Sequence, residues 1–321
     1  MPLVAVALAA LLLAALPPMA HAGKPARAGA PAFASPQHIL GWINGYRARP
    51  EPDRLPQAVK AMSSLGLFRD HDAGGVYVGF MAGVIADNPA KAESLIARMF
   101  PMPPEDQVVV VRAIAYSGAD GWKALLSRFA ERMPARQVLI ERHLADKLPT
   151  LDKLPLEGSP AALDTLWGYY FATGRLEAVD RIVGALAWAK DGNDVDKLTA
   201  GSMAKWTLAN NALQDKSLLD HLKAEQARRP KPVAAELAQV VEAAETYETG
   251  KIRKEAAAAI EELKRKGPES TRRLSFWGTA GQTALALGCV TAGVLGHVEI
   301  AVPCVIGGAA SSAALRLFTP Q

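Results

Sequence analysis

The chain has 321 residues, half of them hydrophobic, which is enough for one large or two modest hydrophobic cores. Ala, Leu and Val supply most of the apolar residues and only 6% of the chain is aromatic, a composition that favours helices over sheets. The formal net charge of +4 is small for this length. It supports no nucleic-acid-binding function, which would require basic residues gathered on one face.

Residues 1–22 have the pattern of a secretory signal peptide. An apolar run over residues 3–16 is followed by Ala20-His21-Ala22, whose small residues suit cleavage before Gly23. No Lys or Arg precedes the run, so an uncleaved anchor or a misplaced start is the alternative. We therefore expect an exported, periplasmic protein. Residues 23–36 are rich in Pro, Ala and Gly and are predicted to be a flexible leader.

Apolar residues at helical spacing predict a body of paired helices over residues 37–231. The pairs turn near Asn88, Gly118, Gly174 and Gln214, and the unequal distances between these turns exclude a strict repeat. The predicted fold class is all-α, with an irregular α-solenoid of helical hairpins as the preferred architecture. An irregular globular helix bundle is the alternative.

The clearest predicted pair covers residues 159–190. Ser159 can cap the first free amides, Pro160 suits the first helical position, and Gly174 can take the left-handed conformation that ends a helix. The first helix carries its bulky side chains on one face: Leu163, Leu166, Trp167, Tyr170 and Phe171. The second repeats the spacing with Leu176, Val179, Val183 and Leu186. Neither helix can bury its apolar face alone, so neighbouring helices are required.

Three segments carry a wider resemblance: LDTLWGYYFATG (163–174), AIAYSGADGW (113–122) and GSMAKWTLANNA (201–212). They resemble recurring segments of an uncharacterised family of exported bacterial helical proteins. The resemblance implies a helical fold over most of the mature chain and no known activity. Leu166, Tyr170 and Gly174 also resemble part of one tetratricopeptide unit, whereas Trp167 and Val179 depart from that pattern.

Residues 232–273 are predicted to form a long helix and a basic linker. Only Gly250 interrupts the helix-forming composition, and Lys264, Arg265 and Lys266 suit a helix C-terminus. A solvated helix end is one interpretation of this basic cluster. Contact with anionic lipid head groups is the other.

Residues 274–321 are apolar and rich in Gly and Ala, and they are predicted to form a helical hairpin. Small residues recur at every fourth position, a pattern that allows close helix contact: Ala280, Ala284, Gly288, Ala292 and Gly296. In this hairpin Cys289 and Cys304 would lie opposite each other, and an exported protein can keep a disulfide between them. Residues 274–318 could insert into a membrane, mediate self-association, or pack on the body.

One short motif has the form of a catalytic site. Ser202 and Lys205 form the Ser-x-x-Lys pattern of penicillin-binding proteins and β-lactamases, in which the amine helps to activate the serine. The companion motifs of those enzymes are missing, and about one such pattern arises by chance in a chain of this length. The histidines are not paired at metal-ligand spacing, so we predict no metal and no cofactor.

Four residues are candidates for contact with an unknown protein partner: Trp167, Tyr170, Trp206 and Asn210. Their helical spacing also suits core packing, and the amide of Asn210 would need a hydrogen-bond partner on an apolar face. The sequence predicts an exported, non-enzymatic scaffold or protein-binding protein, associated with a membrane through its C-terminal hairpin. The alternative is a cell-envelope serine hydrolase that uses Ser202 and Lys205.

Overall fold

The computed structural model describes residues 33–69, 74–157 and 159–266, and over these residues the chain contains 13 α-helices and no strand. The all-helical prediction is therefore confirmed for this part of the protein. The predicted signal peptide and the apolar tail lie outside the described residues. The same holds for the Cys289–Cys304 disulfide and the stripe from Ala280 to Gly296.

The helices follow one another with short connections, several of which contain a 3-10 turn. Their bounds are α1 Pro36–Gly45, α2 Leu55–Ser64, α3 Gly75–Asp87, α4 Pro89–Met99, α5 Gln107–Tyr116, α6 Trp122–Ala130, α7 Gln137–Leu144, α8 Pro160–Thr173, α9 Leu176–Ala185, α10 Val195–Gln214, α11 Lys216–Gln226, α12 Lys231–Thr246 and α13 Thr249–Lys266. None of these described helices combines the length and apolar character needed to cross a membrane.

The local signals that define α8 are confirmed. The side chain of Ser159 accepts a hydrogen bond from the Ala162 amide, and Pro160 is the first helical residue. Gly174 ends the helix with a φ of 71°, which is the left-handed conformation expected there. The turn predicted at Asn88 lies between α3 and α4, and the turn at Gln214 lies between α10 and α11.

Prolines at positions 50, 52 and 56 exclude one continuous helix from α1 through α2, and the structure has separate elements here. The structure places Pro52 at the start of a 3-10 turn and Pro56 in the first turn of α2. Neither position needs a backbone amide for a helical hydrogen bond, so proline is tolerated at both.

Phe33, assigned to the flexible leader, is also buried, and its ring contacts Trp42 at a centroid distance of 5.1 Å.

The single long helix predicted after residue 232 is wrong. The structure divides it into α12 and α13, with Tyr247 in a left-handed conformation at a φ of 61°. The break falls before Gly250, the residue that interrupts the helix-forming composition of this segment. Both helices pack against α10, so the boundary predicted at residue 231 lies inside one packed unit.

The centre of the described fold is the pair formed by α3 and α8, which make its most extensive helix contact. Residues 75–85 and 162–172 are all buried. The backbones approach so closely that a Cβ atom built on Gly79 would lie 1.9 Å from the Thr165 carbonyl oxygen. One built on Gly168 would lie 2.1 Å from the Val76 carbonyl oxygen. Only glycine at these positions permits this approach.

Candidate functional site

The aromatic residues predicted to contact a partner lie in the core. Trp167 is fully buried and its indole Nε1 donates to Thr207 Oγ1 at 3.0 Å, while Trp206 is 5% exposed. Tyr170 is 1% exposed. Asn210 is half-buried, and its Nδ2 has no hydrogen-bond partner in the described part of the chain. The burial of the aromatic rings favours the packing interpretation over the partner-binding one.

Tyr170 belongs to a polar cluster that joins three helices. Its hydroxyl donates to Asp215 Oδ2 at 2.8 Å, and the same oxygen accepts a hydrogen bond from Arg47, whose guanidinium stacks on the tyrosine ring. Partial burial opposes the charged form of Asp215, but hydrogen bonds from Ser217, Tyr170 and the Leu218 amide, with the Arg47 charge, lower the pKa of Asp215 to about 2. The cluster therefore fixes α1 and α8 at the N-terminus of α11.

Ser202 and Lys205 lie on α10, and both are buried, with 3% and 9% of their surface exposed. The ammonium of Lys205 donates to Glu236 Oε2 at 2.7 Å and to Gln239 Oε1 at 2.6 Å. Burial alone would raise the pKa of Glu236, but hydrogen bonds from Lys190 and Lys205 lower it below its usual value. Lys205 thus joins α10 to α12 as one half of a buried ion pair.

Two buried titratable groups are perturbed by desolvation. Asp164 on α8 is 6% exposed, its Oδ1 has no hydrogen-bond partner in the described part of the protein, and burial raises its pKa well above the usual range. Burial, together with the charges of Arg112 and Arg142, lowers the pKa of His143 to about 4. The ring of His143 packs edge-on against Tyr116 at a centroid distance of 6.0 Å. Burial therefore favours the neutral form of the Asp164 carboxyl, and His143 is neutral at pH 7.

A cluster that local spacing did not reveal brings together Asp180, His221 and Glu225, whose ligand atoms all lie within 4.8 Å of one another. His221 Nε2 is 2.9 Å from Asp180 Oδ1. Arg229 contacts both carboxylates, with distances of 2.9 Å to Asp180 and 2.7 Å to Glu225. The arginine supplies the positive charge that a metal ion would bring, so we interpret the cluster as an ion-pair network between α9 and α11.

One cavity in the described part of the protein has a volume of about 490 Å³. It lies between the end of α5 with its following turn (residues 115–118), the segment 150–152, α8 and α9. Its lining is largely apolar, with the hydroxyl of Tyr169 and the guanidinium groups of Arg175 and Arg181 among the polar atoms. The volume falls within the range of small-molecule sites, roughly 300–1,000 Å³.

The two arginines of this cavity are held differently. Arg175 donates to Tyr169 Oη and to Asp87 Oδ1, both at 2.7 Å, so its charge is already paired. Arg181 donates to the carbonyl oxygen of Leu151 at 2.6 Å and to that of Leu154. Among the described residues, no carboxylate lies within ion-pair distance of Arg181. Sequence reasoning did not find this site, because its residues come from four separate segments.

Comparison with known proteins adds no functional information. No family model matches the chain, and neither a curated protein nor a solved structure matches it. The resemblance to an uncharacterised family of exported helical proteins therefore stays a prediction.

Proposed function

We propose that this protein is an exported, non-enzymatic helical scaffold or binding protein. The observation that carries the proposal is the buried pair between Lys205 and Glu236, at 2.7 Å. The Nζ of Lys205 donates to the Glu236 carboxylate and to Gln239, so it links α10 to α12, whereas activation of Ser202 would require an amine free of such partners. The pair therefore supports the scaffold over the serine hydrolase.

The finer architecture is part of the proposal. A solenoid places each hairpin in contact with its neighbours in sequence, whereas α3 and α8 belong to different predicted hairpins and still make the main contact. This long-range pairing supports an irregular globular helix bundle over the α-solenoid. Export is supported by the pattern of residues 1–22, and attachment to a membrane or self-association by the apolar pattern of residues 274–321.

A serine-directed activity probe applied to fractionated cells tests this function. We expect the protein in the envelope fraction, with labelling that is the same for the wild type and for Ser202→Ala. A chain that ends at residue 273 should move to the soluble periplasmic fraction. Ser127→Ala is the matched control, because Ser127 is exposed on α6 and lies outside the motif.

Labelling that is lost in Ser202→Ala but kept in Ser127→Ala would show a reactive Ser202 and overturn the non-enzymatic assignment. Recovery of the full-length protein in the cytosol would overturn export. Equal fractionation of the full-length and shortened chains would remove the role of residues 274–321 in attachment.

A further inference from the structure

The cavity between α5, α8 and α9 contains a cation, Arg181, that forms no direct ion pair with a described carboxylate. Arg181 is half-buried, and burial lowers the pKa of its guanidinium, with Asp152 acting in the opposite direction. In the described residues no carboxylate pairs with it directly. A partly buried charge without a close partner is unfavourable, and an anion placed beside it would relieve that cost.

The geometry of Arg181 leaves donors for such an anion. A guanidinium carries five N–H donors, and here two nitrogen atoms are bound to the carbonyl oxygens of Leu151 and Leu154. These two bonds hold the side chain in one orientation at the cavity wall. A preoriented guanidinium with remaining N–H groups suits a planar carboxylate.

The other charged groups of the cavity do not compete for this role. Asp152 and Glu177 are exposed, so water screens their charges. Arg175 is paired with Asp87 at 2.7 Å. Arg181 is therefore the charge in this cavity that gains most from an incoming ligand.

The rest of the wall suits an apolar group. Ala115, Leu166 and Ala178 all line the cavity and are 2%, 1% and 6% exposed. Such small and branched side chains form an apolar surface that gains from contact with a hydrocarbon chain. The hydroxyl of Tyr169, which also lines the cavity, already accepts a hydrogen bond from Arg175 and adds no charge to the wall.

We propose that this cavity binds a small amphipathic carboxylate, with its hydrocarbon part against Ala115, Leu166 and Ala178 and its carboxylate at Arg181. The site goes beyond the scaffold function proposed above, because it takes a small molecule and uses none of the residues of the Ser-x-x-Lys motif. A neutral or cationic ligand of the same length would find the same apolar wall without the charge at Arg181.

Isothermal titration of the full-length mature protein with octanoate, octanol and octylamine tests this proposal. We expect octanoate to bind about tenfold more tightly than octanol, the size of one hydrogen bond to a charged group, and octylamine to bind most weakly. In Arg181→Gln the preference for octanoate over octanol should fall below about threefold, with octanol binding retained. Arg49→Gln is the control, because it removes the same charge from a side chain that is 86% exposed.

A second variant keeps the test valid if Arg181→Gln does not fold. Ala178→Phe should fill the cavity, leave the helical circular dichroism unchanged, and abolish the binding of octanoate. Three results would overturn the proposal: equal affinities for octanoate and octanol, an unchanged preference in folded Arg181→Gln, or octanoate binding that survives in folded Ala178→Phe.

Discussion

Replacement of Gly79 by alanine is expected to destabilise the protein by about 3 kcal/mol or more, at the upper end of what overpacking costs. The added Cβ would lie 1.9 Å from the Thr165 carbonyl oxygen and 2.9 Å from the Tyr169 amide nitrogen. These are backbone atoms, so no side-chain rotation can remove the overlap. Helices α3 and α8 would have to separate, and the separation would loosen the packing along both of them.

Gly41 provides the matched control for this substitution. It lies inside α1, and a Cβ built there meets nothing within 4 Å. Alanine favours a helix interior more than glycine does, so Gly41→Ala should stabilise the protein by up to about 1 kcal/mol. Urea unfolding of both variants measures the difference. Similar stabilities for Gly79→Ala and Gly41→Ala would contradict the close contact between α3 and α8.

Removal of the carboxylate of Glu236 is expected to cost about 3–5 kcal/mol, because it leaves the charge of Lys205 buried without its counter-ion. The side chains of this pair are 6% and 11% exposed. The double variant Lys205→Met/Glu236→Leu removes both charges and should recover most of the loss. Lys190, the other partner of Glu236, is 72% exposed and can return to water.

An exposed ion pair serves as the reference for this prediction. Lys216 and Asp220 are paired at 2.7 Å on α11 with 84% and 56% of their side chains exposed. Asp220→Asn should change the free energy of unfolding by less than about 1 kcal/mol. If Glu236→Leu costs no more than Asp220→Asn, or if the double variant is no more stable than Glu236→Leu, the pair does not have the structural role assigned to it.

Local structure was the part of this fold that sequence reasoning could predict. The cap at Ser159, the proline at position 160 and the glycine at position 174 each act on the adjacent turn of the chain, so the bounds of α8 followed from them. The prolines at positions 50, 52 and 56 exclude one continuous helix from α1 through α2, but the effect of a proline depends on its position in a helix. In the first turn, as at Pro56, it breaks nothing.

The partner of α3 could not be predicted from helical spacing. Its bulky residues, among them Tyr77 and Phe80, follow the spacing of one apolar face, but the helix is buried on all sides from Gly75 to Ile85. The signal that was overlooked is the recurrence of Gly75, Gly79 and Gly83 at every fourth position. That pattern indicates that another helix packs closely on α3. It does not identify that helix as α8, which is distant in the sequence.

The polar sites depend on the same long-range packing. Lys205 was noted for its spacing from Ser202, yet its partner Glu236 is on another helix and carries no local sign of the contact. The cavity has a similar origin, since Arg181 on α9 and Ala115 on α5 are far apart in the chain and line the same cavity only in the folded protein. Spacing within a helix predicts which residues share a face. The packing of the helices determines which residues of other helices that face contacts.

The measurement that tests the central pair of helices most directly is the nuclear Overhauser spectrum of the labelled protein. A Cβ built on Gly79 lies 2.9 Å from the Tyr169 amide nitrogen, and one built on Gly168 lies 2.7 Å from the Phe80 amide nitrogen. We expect cross-peaks from the α protons of Gly79 to the Tyr169 amide and from those of Gly168 to the Phe80 amide. Absence of both, in a spectrum that contains the contacts between α8 and α9, would contradict a bundle centred on α3 and α8 and restore the open solenoid.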